Sequence, residues 1–360
     1  MIISRTPFRV SFFGGGTDYP GWYRKHSGAV LAATINKYCY ISVRHLPPFH
    51  EHKIRLVYSK IENCDSIEDI SHPSIREVVR YVGIDRGLEI HHDADLPARC
   101  GMGSSSSFTV GLLNALYALK GQMRSKHDLT MESIHIEQEL IGETVGSQDQ
   151  TSAAHGGLNH ISFLPDGEIS VRPITVPMGR IRQLDSHLML FYTGIKRTAS
   201  DVAKSYVEDL DKKKTQLRIM KELVKEGIRV LNATGDITPF GELLHETWQV
   251  KRKLSSKTTN SDVDDIYDRA RKAGALGGKL TGAGGGGFML MFAPPERQEA
   301  IKKVLSELIC VPFKLEPSGS QIIFFDPEED YSEAEAARAS QVPRGFRELN
   351  EVERKDERSA

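Results

Sequence analysis

The sequence lacks any apolar run long enough to cross a bilayer, and Arg5 and Arg9 interrupt the short apolar stretch at its start, so neither a membrane span nor a secretory leader is expected. Cysteine is scarce. Cys39, Cys64, Cys100 and Cys310 stand far apart with no paired spacing, which argues against a disulfide framework and a thiolate zinc site and fits a reducing cytoplasm. An excess of one charge is missing too: 47 Lys and Arg face 48 Asp and Glu, a net charge of −1, so nothing gathers nucleic acid or an acidic membrane surface. Internal repeats are absent, as are the His-Arg-Asp and Asp-Phe-Gly triplets of protein kinases. What remains, 360 residues with 39% hydrophobic and 26% charged, is the composition of a folded protein long enough for two lobes.

Ile2 to Phe13 alternates and is rich in β-formers, which predicts a strand running into Gly14, Gly15 and Gly16. Val30 to Ile35, Tyr38 to Leu46, Ile54 to Tyr58 and Gly87 to His92 read as further strands, and Pro73 to Tyr81 as a helix capped by Ser71. Helical spacing returns over Thr130 to Glu143, with Thr130 and Ser133 as candidate caps. Thr144 to Gly157 is polar and reads as a loop, the kind of segment in which catalytic groups sit. Leu158 to Phe163 and Ile169 to Val176 form a hairpin around Pro165-Asp166-Gly167. A strand at His187 to Thr193 opens a second lobe with helices at Ser200 to Leu210, Gln216 to Asn232, Phe240 to Leu254 and Val263 to Ala273. A strand at Phe288 to Ala293 and a helix at Pro295 to Leu308 follow, and Val311 to Leu315 with Gln321 to Phe325 would complete a small sheet. The expected division is residues 1–185, residues 186–327, and a charged tail over 328–360 that is flexible or a single exposed helix.

The stretch that organises the chain is Leu96 to Ser107. Gly101 and Gly103 let the backbone turn sharply with no side chain in the way, and Ser104, Ser105, Ser106 and Ser107 then open a helix, where unpaired amides already favour an anion. This reads as a phosphate cradle, or as a turn whose serines only cap the helix. Gly282 to Gly287 fits G-x-G-x-x-G, which brings an NAD(P)-dependent oxidoreductase into consideration. That fingerprint needs a strand before it and a helix after it, whereas here a helix precedes and a strand follows.

Three segments taken together, Pro7 to Tyr19 (Pro-Phe-Arg-Val-Ser-Phe-Phe-Gly-Gly-Gly-Thr-Asp-Tyr), Pro97 to Ser107 and Lys279 to Phe288, resemble the three signature motifs of the GHMP small-molecule kinases, in order, over roughly Met1 to Asp326. The resemblance implies an α+β fold of two lobes, the N-terminal one with a left-handed β-α-β crossover and the C-terminal one also α+β, with the active site in the cleft between. It implies ATP held by Gly101, Gly103, Ser104, Ser105 and Ser106, and magnesium on Ser105 and Glu137, with Glu139 as the rival carboxylate. Asp149 matches the aspartate that accepts the proton of the substrate hydroxyl, although an aspartate there could also cap a helix. Arg9 falls where galactokinases carry an arginine near the transferring phosphoryl. Thr281, Gly282 and Gly284 would line the cleft opposite the cradle, on the substrate side.

The galactokinase form of the first motif has glutamate and histidine where this chain has Gly15 and Gly16, so the pocket should take something bulkier or differently substituted than galactose. Gly15, Gly16, Thr17 and Asp18 form its expected wall, with Asp18 binding sugar hydroxyls. The triple glycine, the Gly-Ser-Gln-Asp-Gln run at 146–150 and Tyr192 to Arg197 resemble the bacterial D-glycero-D-manno-heptose-7-phosphate kinases, which implies phosphorylation of an anomeric hydroxyl on a sugar phosphate; fucokinase-like and galactokinase-like substrates stay open. The second phosphate needs another basic site, for which Arg197 beside Lys196 is the candidate. A catalytically silent protein on the same scaffold is a further alternative, against which the retained Asp149 and Ser105 speak. The expected partner is a small-molecule sugar or sugar phosphate, with no nucleic acid and no membrane; self-association is left open.

Overall fold

The structure is a computed structural model that describes residues 1–48, 50, 52–98, 100–195, 205, 210–326, 331, 333–334 and 336–337. Strand β1 (Ile2–Phe13) is buried along almost its whole length and pairs antiparallel with β2 (Gly28–His45), with helix α1 (Pro20–His26) between them. Two strands were expected where β2 runs as one. Pro7 faces Tyr38 and Phe8 faces Ile35, so Asn36 and Lys37 are the extra residues of a bulge that bends the strand without ending it. Strands β3 (Ile54–Val57) and β4 (Ile61–Cys64), helix α2 (Pro73–Val82) and strand β5 (Leu88–Ala94) follow. Here β3 and β5 run parallel, and β5 pairs antiparallel with β2. His72, not Ser71, caps α2, its Nδ1 accepting from the Ile75 amide.

Helix α3 (Ser104–Leu119) packs on β1 and β2, with Val110, Leu112, Leu113 and Leu116 buried in the core it shares with them, and glycine at 111 lets it approach closely, since a Cβ there would lie 2.7 Å from Thr6 Oγ1. Helix α4 (Lys126–His135) starts earlier than expected because Ser125 and Asp128 form a reciprocal capping box, and it widens into a π-helical turn over Ile136–Leu140. The expected loop contains helix α5 (Gln148–His155). Strands β6 (Leu158–Phe163) and β7 (Ile169–Pro173) form the expected hairpin on the edge of β2.

After α6 (Met178–His187), strand β8 (Leu188–Tyr192) begins a four-stranded sheet. Helices α7 (Lys214–Asn232), α8 (Thr238–Arg252) and α9 (Ser261–Lys272) lead to β9 (Gly277–Leu280), β10 (Phe288–Phe292), α10 (Gln298–Val304) and β11 (Ile309–Cys310), in the order β11-β8-β10-β9. The glycine-rich run is therefore flanked by strands on both sides, which removes the dinucleotide-binding context more firmly than the expected preceding helix did. The last strand, β12 (Gln321–Phe325), does not complete this small sheet. It pairs antiparallel with β1 and becomes the edge of the eight-stranded sheet, β12-β1-β2-β5-β3-β4 with β6 and β7 alongside. The helix expected over Ser200 to Leu210 and the tail lie almost wholly outside the described residues. All four cysteines are free, and no described helix is long and apolar enough to cross a membrane.

Candidate active site

Both glycines of the cradle adopt left-handed backbone, φ +77° at Gly101 and +75° at Gly103, and Gly103 is the N-cap of α3. A Cβ at 103 would lie 3.3 Å from Arg9 Cγ and 3.4 Å from Asp149 Oδ2, so this glycine lets the loop close over both side chains. Ser104, Ser105 and Ser106 face the same cleft, of about 400 Å³. The serines divide the work. Ser105 is exposed, Ser106 is buried and donates to Glu137 Oε2 at 2.8 Å, and Ser107 turns away to bind the Pro7 carbonyl.

Arg9, on β1, is 3% exposed and forms a fork with Asp149 on α5: Nε to Oδ1 at 2.8 Å and Nη2 to Oδ2 at 2.6 Å. Its remaining arm donates to the Gly101 carbonyl at 2.8 Å, tying Asp149, Arg9 and the glycine turn into one unit. Asp149 is thus not a helix cap; Ser147 occupies that position.

Gly15, Gly16 and Asp18 line the same cleft. The Asp18 carboxylate is buried, accepts from the Gly16 amide at 2.9 Å, and is pushed up to about 6 by burial first and the Asp149 charge second. Glycine at 146 is what admits it, because a Cβ there would sit 1.9 Å from Asp18 Oδ2. Thr17 serves the fold, its hydroxyl bonded to Gly14 and Ala29.

The π-helical turn carries Glu137 inward and leaves Glu139 outside. Glu137 is fully buried beside Ser106 and Gln150, its pKa pushed up to about 7 chiefly by burial, and Oε1 has no hydrogen-bond partner. Glu139 is 71% exposed and paired with His135. Across the cleft, Gly282 packs on the cradle so closely that a Cβ there would lie 2.6 Å from Gly101 Cα. Thr281 and Gly284 stand behind this surface: the Thr281 hydroxyl binds the Phe288 carbonyl, and Gly284 abuts Thr258. Arg197 and Lys196 lie outside the described residues.

Two lysines in the wall were not anticipated. Lys251 on α8 and Lys279 on β9 are 6% and 2% exposed, and both line the cleft. Burial draws both ammonium groups down, Lys251 to about 7 and Lys279 well below its usual range, with neighbouring positive charge adding to the effect. One signal was readable: Leu244, Thr247, Trp248 and Lys251 recur at helical spacing, placing Lys251 on the buried face of α8.

Against known proteins, residues 70–157 match the GHMP kinases N-terminal domain and residues 219–309 the GHMP kinases C-terminal domain. The chain is 26% identical to a D-glycero-alpha-D-manno-heptose 7-phosphate kinase of Campylobacter jejuni, over 84% of this chain and 93% of that protein. It is also 26% identical to the L-fucokinase/L-fucose-1-P guanylyltransferase of Bacteroides fragilis, over 85% of this chain but only 36% of that longer protein. A crystal structure of a D-glycero-D-manno-heptose 1-phosphate kinase from Bacteroides thetaiotaomicron shares the fold with a TM-score of 0.74 at 23% identity, covering 91% of this chain and all of that one. With both domains present in order, and with the cradle, the Gly282 turn and the Arg9–Asp149 fork converging on one cleft, the chain belongs to the GHMP kinase family.

Proposed function

We propose that this protein transfers the γ-phosphoryl group of ATP to the anomeric hydroxyl of a sugar phosphate, D-glycero-D-manno-heptose 7-phosphate giving the 1,7-bisphosphate. The observation that carries the reading is the Arg9–Asp149 fork, fixed between the cradle and a sugar-facing wall that has no side chains at 15 and 16. In this reading Gly101, Gly103 and Ser104 to Ser106 hold the triphosphate through amides and hydroxyls at the start of α3. The acceptor oxygen attacks the γ-phosphorus, and the bond to the β-phosphate oxygen breaks with its electron pair leaving on ADP. Asp149 takes the hydroxyl proton and passes it to solvent. Each of its oxygens spends one lone pair on Arg9, leaving another for the acceptor. Arg9 lies beside the charge that builds up and is already oriented.

The partnerless Oε1 of Glu137, beside a serine hydroxyl and next to the cradle, fits a hard cation that takes oxygen ligands and shares the nucleotide phosphates. Glu137, already bonded to Ser106, would hold magnesium with Ser105, the exposed serine of the cleft lining, as the second ligand; when bound the ion neutralises phosphate charge. Asp18 accepts hydrogen bonds from sugar hydroxyls, and Gly15, Gly16 and Gly282 leave room for the acceptor.

Support for the phosphosugar comes from the similarity to the Campylobacter enzyme; the similarity to the Bacteroides fucokinase supports an unphosphorylated sugar as the second reading. Incubation with ATP, magnesium and sugars with and without a terminal phosphate, followed by phosphorus NMR, decides between them. The expected product carries a new anomeric phosphate only when the acceptor is already phosphorylated. A new ester on free fucose or galactose, with none on the phosphosugars, overturns the first reading.

A further inference from the structure

Three cationic side chains, Arg9, Lys251 and Lys279, are buried in the wall of the cleft. Asp149 is taken by Arg9, Asp18 accepts from backbone amides while its charge reaches both lysines, and Glu143 also lines the cleft. The two lysines bond only to carbonyls: Lys251 Nζ to Leu280 at 2.9 Å and Gly282 at 2.5 Å, and Lys279 Nζ to Phe12 at 3.0 Å. Neither ammonium has a carboxylate partner among the described residues. Burial without a paired carboxylate pushes both groups toward the neutral amine, and an anion arriving beside them would draw them back to the charged form. The arrangement suits an anion that arrives with the substrates.

Position says which anion. Lys251 holds the carbonyl of Gly282, Gly282 touches Gly101, and the Gly101 carbonyl is held by Arg9. Lys251 therefore lies behind the point where the cradle meets Asp149, with Lys279 within electrostatic reach of it and Asp18 of both. We infer that Lys251 and Lys279 stabilise the phosphoryl group while it passes between ADP and the acceptor oxygen. This rests on the kinase reading above and assigns that reading two residues on the C-terminal lobe. Their remaining N–H groups supply donors to the equatorial phosphoryl oxygens, so the arriving phosphoryl group provides the counter-charge.

The test compares K251Q, K279Q and K251R with the wild type in melting temperature, ADP affinity, acceptor KM, kcat, and binding of ADP with aluminium fluoride in the presence of acceptor. Glutamine keeps a donor for the carbonyls and removes the charge. The expected result is that K251Q and K279Q melt within a few degrees of wild type and bind ADP within about threefold. Their kcat and their affinity for the fluoroaluminate complex should fall in parallel by about 100-fold, with partial rescue in K251R. Should K251Q fail to fold, K279Q carries the same comparison. Unchanged kcat in the folded glutamine variants overturns the inference. So does a loss confined to the KM of phosphorylated acceptors, which would place the lysines on the acceptor's own phosphate. A wild-type chain that transfers phosphoryl to no acceptor overturns the kinase reading itself, whereas an active wild type beside equally active glutamine variants overturns only the role of the lysines.

Discussion

Position 15 is the place where a single side chain should redirect the acceptor. A Cβ on Gly15 would meet nothing nearer than 3.8 Å, so Gly15→Glu should fold with an unchanged melting temperature. Its carboxylate enters the cleft, and on the proposed function repulsion should lower kcat/KM for a phosphorylated acceptor at least about 10-fold more than for a neutral sugar; steady-state kinetics on both acceptors reads the ratio. Asp149→Asn keeps the shape of the Arg9 contact and removes the proposed proton acceptor, so kcat should fall by about 10² to 10⁴ while ADP affinity, measured by calorimetry, stays the same. Asp18 adds a pH signature. Its acid is neutral in the folded protein up to about 6 but ionises at its ordinary value of 3.8 when unfolded. Between these values the native state holds the extra proton, so Asp18's contribution to stability is greatest below pH 4 and is lost as pH rises through 6. The melting-temperature difference between wild type and Asp18→Asn should therefore shift against the wild type over that interval, and a flat difference would remove Asp18 from the list of perturbed groups.

Among the elements, the β9–β10 turn matters because it is pressed against the cradle at the head of α3. Gly282 has φ +63°, and a methyl there would collide with Gly101, so Gly282→Ala should weaken ADP binding by at least about 10-fold through displacement of the cradle. Ser125→Ala, which breaks the capping box of α4 far from the cleft, should cost about 1 kcal/mol of stability and leave ADP binding unchanged. Denaturant titration and calorimetry on the two variants separate local strain at the site from general loss of stability. The same elements show what a sequence discloses. β1 and the β6–β7 hairpin were legible through alternation and turn residues, and the cradle helix through the long apolar run that follows its glycines and serines. Helix α5 was not, because Gln150, Thr151, Ser152, Ala153 and Ala154 are all buried and mostly polar or small, which leaves no apolar stripe to detect. The bulge at Asn36 and Lys37 looked like a strand end for a related reason: polar residues interrupt the pattern while the ladder continues past them. At the site, clustered glycines and serines advertised the cradle, whereas Lys251 is a lone charge in a helix and only its register betrays its burial.

At the scale of the whole molecule, the chain leaves the large sheet at α6, builds the second lobe, and comes back, so the N-terminal lobe is finished only by residues 314–326. That returning segment is stitched to the elements that carry the site. Glu316 takes the Thr34 hydroxyl and the Tyr38 phenol, Ser320 bonds Thr6 and Asn114, and the Ser320 amide donates to Ala153 in α5, the helix that presents Asp149. The tightest stitch is at the end of α5. Gly156 has φ +68°, and a Cβ on it would lie 2.0 Å from the Gly319 amide nitrogen. Gly156→Ala must therefore separate α5 from the returning strand, since backbone cannot yield as the tip of a side chain can. The variant should melt several degrees lower, and its kcat should fall several-fold with ADP affinity retained, because the displacement reaches Asp149 through α5 and not the cradle through α3. A lower melting temperature with unchanged kcat would mean that Arg9 alone fixes the aspartate and that the returning strand contributes to stability only.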